Sequence, residues 1–114
     1  MSRTFNFNNI EKQYLTVTLA DENKTTLMIK TPTKALFKRL QYMKDNIRNI
    51  QRQGEADVID EMYEICVEIM SCNKGGIQIT KEQLENIPDF DYQDIVAFLG
   101  AYMSFIGEIS KLKN

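Results

Sequence analysis

Histidine is absent from this chain of 114 residues, and with it go the commonest general acid–base group and the commonest nitrogen ligand for a metal. Cysteine occurs only twice, at Cys66 and Cys72, a spacing that fits no zinc motif. Free thiols in a reducing compartment are the expectation. No Gly-x-Ser-x-Gly elbow or phosphate-binding P-loop is present. The acidic run at residues 89–94 lacks the features of a calcium loop, with Asp94 where glycine is needed and Gly100 where the closing glutamate belongs. No catalytic residue, cofactor or metal is therefore expected, and the chain reads as a non-enzyme. An apolar secretory segment is also missing, as is any run approaching the roughly 20 residues that span a bilayer. A cytoplasmic protein without membrane contact follows as an expectation. Net charge is only -2, which exerts no global pull toward nucleic acid or anionic lipid.

Just two prolines, Pro32 and Pro88, punctuate the chain, and no repeat or linker divides it. Its length and its 43% hydrophobic content suit one domain over residues 1–114 with a single core. Leu15, Val17 and Leu19 alternate with polar residues, as do Leu27 and Ile29, predicting an antiparallel β-hairpin over about residues 14–30. Phe5 and Phe7 alternate with asparagines and suggest an earlier strand. Helices are predicted at about 32–52, 55–72, 81–87 and 92–111, giving an α+β fold in which a hairpin precedes a small bundle of three to four helices. Thr31 is placed to cap the first helix with Pro32 at its first position. Thr80 and Gln83 form a capping box for the third, and Asp91 caps the last.

In the first helix Leu36, Leu40, Met43, Ile47 and Ile50 share an apolar arc, and Lys34, Lys38, Lys44, Arg48 and Arg52 share the opposite side with Phe37 among them. The second helix sets Val58, Met62, Ile65, Cys66, Ile69 and Met70 against Asp57, Asp60, Glu61, Glu64 and Glu68. Charge is thus segregated: residues 1–53 hold ten basic and four acidic groups, residues 54–94 two and eleven. If the two helices pack through their apolar faces, the centres of the charged faces point apart and do not neutralise each other. Solvated faces explain this, as does electrostatic steering of a partner or head-to-tail assembly.

The last helix carries the sharpest signal, because no charge occurs over residues 95–107. Large side chains fall on one face, and Ala97, Gly100, Ala101, Ser104 and Gly107 on the other. Each interior glycine costs about 1 kcal/mol relative to alanine, so close approach of another backbone should offset it. A central, largely buried helix inside the same chain is one reading. Docking of a partner or of a second copy is the other, leaving a homo-oligomer open. Association through this helix is the prediction, and Gly100→Leu is expected to disturb its close packing by overfilling it, at about 1 to 3 kcal/mol if the site is tight.

The threonine-rich hairpin running through residues 30–36 into an amphipathic helix resembles the start of the small tail assembly chaperones of long-tailed, siphovirus-like phages. The capped segments at residues 79–84 and 90–95 resemble that family's short helix and apolar last helix. The resemblance implies binding to the phage tape-measure and/or tail-tube protein in the host cytoplasm before a tail forms, with no enzyme activity or cofactor. It also implies a longer frameshifted version, of which this chain would be the short form. The alternative is a small nucleic-acid-associated regulator using the basic face of the first helix. It lacks a recognition loop or zinc pattern, and the acidic half opposes it.

Overall fold

Alternation at residues 14–30 yields a two-stranded antiparallel hairpin, β1 (Leu15–Thr18) and β2 (Thr26–Ile29), in the computed structural model, which describes residues 3–47 and 55–111. Leu15 faces Ile29 and Val17 faces Leu27, so the apolar residues share one side, and Leu27 and Ile29 are buried. Asp21 closes the connection, accepting from the Thr25 hydroxyl at 2.6 Å and the Thr25 amide at 2.8 Å. These bonds hold its carboxyl below its ordinary pKa.

The helices that follow are α1 (Lys34–Ile47), α2 (Glu55–Ser71), α3 (Lys81–Glu85) and α4 (Tyr92–Lys111). This is the expected α+β order. Arg48, Ile50, Arg52 and the break at residues 53–54 lie outside the described residues, as do the side chains of Ile47 and Asp57. The start of α1 differs from expectation: Thr33, not Thr31, is the cap, its hydroxyl accepting the Leu36 amide at 3.3 Å and its carbonyl the Phe37 amide at 2.9 Å. The reason is local. Pro32 disfavours helical backbone at Thr31, and the chain is still tied to its neighbour there, the Lys30 amide donating to the Cys72 carbonyl at 2.9 Å. Ahead of the hairpin no strand forms among the described residues. Asn6 instead accepts the Asn8 amide at 2.9 Å and caps a short 3-10 turn, Phe7–Asn9, as asparagine does where it outcompetes regular pairing.

The two later caps stand as expected. Thr80 and Gln83 form a reciprocal capping box, while Asp91 accepts the Gln93 amide and donates its own amide to Asp94, both at 2.9 Å.

Helix α2 is the element on which the others converge, with α1, α3, α4 and β2 all packed against it. Its broad apolar face makes this feasible: Val58, Met62, Ile65, Cys66, Ile69 and Met70 are all buried. They join Leu27, Ile29, Leu36, Leu40, Ile79, Leu84, Ile95 and Tyr102 in one continuous core. Burial pushes the Cys66 thiol up to about 12, leaving it protonated at neutral pH. At the edge of the α1–α2 seam, away from the centres of the charged faces, one basic residue of α1 does meet acids of α2. Arg39 contacts Glu68 and lies 3.7 Å from Glu64, since its position flanks the seam. All three groups are well exposed, so the pairs contribute little.

Beyond α2 the chain turns under β2. Residue 73 bridges Ile29, and the Lys74 amide donates to the Met28 carbonyl at 2.9 Å. Asn73 is buried and its side chain acts as backbone would, donating to the Met70 carbonyl at 2.8 Å and the Ile77 carbonyl at 2.7 Å while accepting the Ile77 amide at 2.9 Å. Gly76 supplies the left-handed residue of this turn, at φ +68.

Candidate functional site

Helix α4 packs through one face only. Ile95, Leu99, Tyr102 and Phe105 are buried, and Tyr102 is anchored by its hydroxyl, which donates to the Lys30 carbonyl at 3.1 Å across the end of β2. Burial raises the Tyr102 pKa further above its ordinary value, so the hydroxyl stays a donor. The opposite face is bare. Ala97, Gly100, Ala101, Ser104 and Gly107 are all exposed, and a Cβ added at Gly100 or Gly107 would meet nothing within 4 Å.

The expectation of a central, largely buried α4 is therefore corrected: α2 holds the centre and α4 lies along its side. A Cβ at position 100 meets nothing of the same chain within 4 Å, so the close packing that Gly100→Leu would overfill is not formed within the chain. The opposite sign follows for Gly100→Ala, which should stabilise the isolated chain by about 0.5 to 1 kcal/mol, because a helix-interior glycine is replaced in open space. Urea denaturation measures this directly. A loss of stability would reveal a close contact at position 100.

Two open grooves border the bare face. One, of about 310 Å3, lies between α1 and α4 and is lined by Leu40, Met43, Lys44, Val96, Leu99, Gly100 and Met103. The other, of about 590 Å3, lies between the chain entering β1 and α4, lined by Gln13, Tyr14, Leu15, Ala101, Ser104, Phe105, Glu108 and Ile109. Between them runs the exposed strip of small residues, flanked on each side by the mostly apolar lining of a groove. Lys44 and Glu108 are the charged residues at its margins. At about 1.5 Å per residue the strip from Val96 to Gly107 runs for roughly 17 Å.

The basic residues named from sequence are not brought to this strip as a set. Lys44 lines one groove, whereas Lys34 and Lys38 are exposed on the outer side of α1, near the partly exposed Phe37 and the exposed Tyr42. Arg48 and Arg52 lie outside the described residues. An acidic region gathers elsewhere, around the α3–α4 junction. There Tyr63 packs edge-on against Phe90 at 5.9 Å, and its pKa is raised by burial and by Glu85, Asp91 and Asp94.

A further depression of about 770 Å3 between the hairpin turn and α3 includes Asp21, Thr25 and Gln83, but these polar groups already bond one another or Thr80. Among the described residues every buried side-chain nitrogen and oxygen has a partner, and no group of three or more Cys, Asp or Glu side chains is placed to hold a metal. No helix among them is long and apolar enough to cross a membrane.

Sequence reasoning missed the N-terminal arm as a surface feature. Phe5 and Phe7 are 71% and 77% exposed, their rings meeting edge to face at 4.9 Å, and Ile10 is exposed as well. Asparagines at positions 6 and 8 were the available signal, since they favour a local turn over a strand. Comparison with known proteins adds nothing to this geometry: no family model, curated protein or solved structure matches the chain.

Proposed function

We propose that this chain is a non-enzymatic assembly chaperone of a long-tailed phage or prophage, binding the tape-measure and/or tail-tube protein in the host cytoplasm before the tail is built. The observation that carries the reading is the bare face of α4. Two interior glycines there cost about 1 kcal/mol each relative to alanine, and nothing within 4 Å of either offsets that cost within the chain. An offset from outside the chain is the physical motive for a partner. A client awaiting assembly exposes apolar segments, and a strip of small residues between two grooves, with Lys44 and Glu108 at its margins, lets such a segment approach the helix backbone closely. The resemblance of the hairpin-to-helix start and of the capped end to tail assembly chaperones supplies the identity of the client.

Co-expression with the tape-measure protein of the same genome tests the reading. The client should stay in the soluble fraction and co-purify with the chain, and Gly100→Glu or Ala101→Glu should abolish this by placing an unpaired charge on the strip that the client covers. Far-UV circular dichroism should remain unchanged, because both positions face open space. A client equally insoluble with and without the chain overturns the proposal. So does tight, salt-sensitive binding of DNA or RNA that is lost on reversing Lys34, Lys38 and Lys44, which would assign the protein to the regulator reading.

A further inference from the structure

We infer that two copies of this chain pair edge to edge along β1, in an antiparallel register centred on Val17, so that their hairpins form one continuous sheet. The inference does not rest on any client. The Leu19 amide donates to the Thr25 carbonyl at 2.8 Å, which fixes the alternation along β1: the main-chain groups of Leu15, Val17 and Leu19 face β2, and those of Thr16 and Thr18 face away. Nothing among the described residues bonds the outward set. The far side of β2 differs, because the Lys30 and Lys74 amides tie it to residues 72–74 and leave β1 as the open edge of the sheet.

That edge lacks the devices that ordinarily keep strand edges apart. Neither proline nor a charged residue interrupts positions 14–19, and the ladder along β1 runs without a bulge. Its apolar side is also unfinished. Leu27 and Ile29 on β2 are fully buried, whereas Leu15 and Val17 opposite them are only half-buried, since no strand lies beyond them. Thr16 and Thr18 are exposed on the other side of the same strand.

Symmetry and charge select the partner and the register. A strand pairing antiparallel with its own copy is related to it by a two-fold axis, and side chains stay on matching faces only if that axis passes through a residue. Only Thr16 and Val17 lie near enough to the middle of β1 for most of the strand to pair. Centred on Thr16, the pairing sets Glu11 against Asp21 of the second copy, and like charges meet. Centred on Val17, it sets Lys12 against Glu22 of the second copy, both exposed, and carries the apolar row across the seam with Val17 beside Val17 and Leu15 beside Leu19. Thr16 and Thr18 then face each other and exchange their free main-chain bonds. The seam is short, so association is expected to be reversible, with Kd on the order of 1 to 100 µM.

Sedimentation velocity on the full chain, at low salt and at concentrations up to about 1 mM, tests the inference. The parent protein should move from monomer to dimer. Thr16→Lys/Thr18→Lys should weaken dimerisation by about tenfold or more, because lysine then faces lysine on both sides of the axis. Circular dichroism should match the parent, since both side chains are exposed. Lys12→Glu should weaken dimerisation by about threefold to tenfold, and Lys12→Glu/Glu22→Lys should restore it, a recovery that a merely structural role for either residue does not produce. A parent that remains monomeric throughout overturns the inference. So does a Thr16→Lys/Thr18→Lys variant that dimerises like the parent, and a charge swap that stays as weak as Lys12→Glu alone overturns the register.

Discussion

Ile69→Ala is expected to destabilise the chain by about 2 to 5 kcal/mol, a large fraction of the total stability of a domain this size. Ile69 is fully buried on α2, and α2 is the element against which α1, α3, α4 and β2 pack. Removing three carbon atoms there forfeits their transfer free energy and opens a cavity at the junction of several elements, where no single one can move in without leaving another. Ile77 provides the control. It is 42% exposed, so Ile77→Ala should cost well under 1 kcal/mol if burial rather than residue type sets the penalty. Urea unfolding of both variants, with m unchanged, would establish the difference. Similar values for the two would mean that α2 is not the structural hub.

The hub role of α2 was the least legible part of the sequence. Absence of charge over residues 95–107 reads as burial, while six acidic residues on the preceding long helix read as a surface element. Burial, however, depends on how many neighbours a helix has. The apolar arc of α2 is wide enough to serve four of them with its acids left outside, whereas α4 meets α2 along one face only. Features fixed within a few residues were readable: the alternation of the hairpin, the Thr80 box and the Asp91 cap all follow from local hydrogen-bond geometry. The small-residue stripe was equally legible as a stripe. Whether it faced the core or water was not, because nothing in residues 95–107 states what lies on the far side. The same holds for Arg39, which a helical wheel leaves between faces and the tertiary structure turns toward Glu64 and Glu68.

Asn73 belongs to this second class, reading as part of a polar helix stop while acting as an internal bracket, and Asn73→Ala should cost about 2 to 4 kcal/mol. Three groups lose their partner at once: the Met70 carbonyl, the Ile77 carbonyl and the Ile77 amide. A buried group left unsatisfied costs about 1 to 3 kcal/mol, and the total stays below three full penalties because Ile77 is partly exposed and water can reach its backbone. The bracket also holds the 72–74 segment against β2, through the Lys30 and Lys74 amides, so its loss loosens the far edge of the hairpin. Asn73→Asp separates these effects. A carboxylate keeps an acceptor for the Ile77 amide but faces two carbonyl oxygens, in a buried position, without a proton to donate. Its folded-state pKa is therefore raised above the unfolded value, and stability is lost as pH rises through the folded pKa. The variant should be less destabilised at about pH 4, where the protonated acid donates to one carbonyl, than at about pH 7. Equal destabilisation at both values, or a cost below about 1 kcal/mol for the alanine variant, would show that water replaces the Asn73 side chain and that the turn is held by its backbone alone.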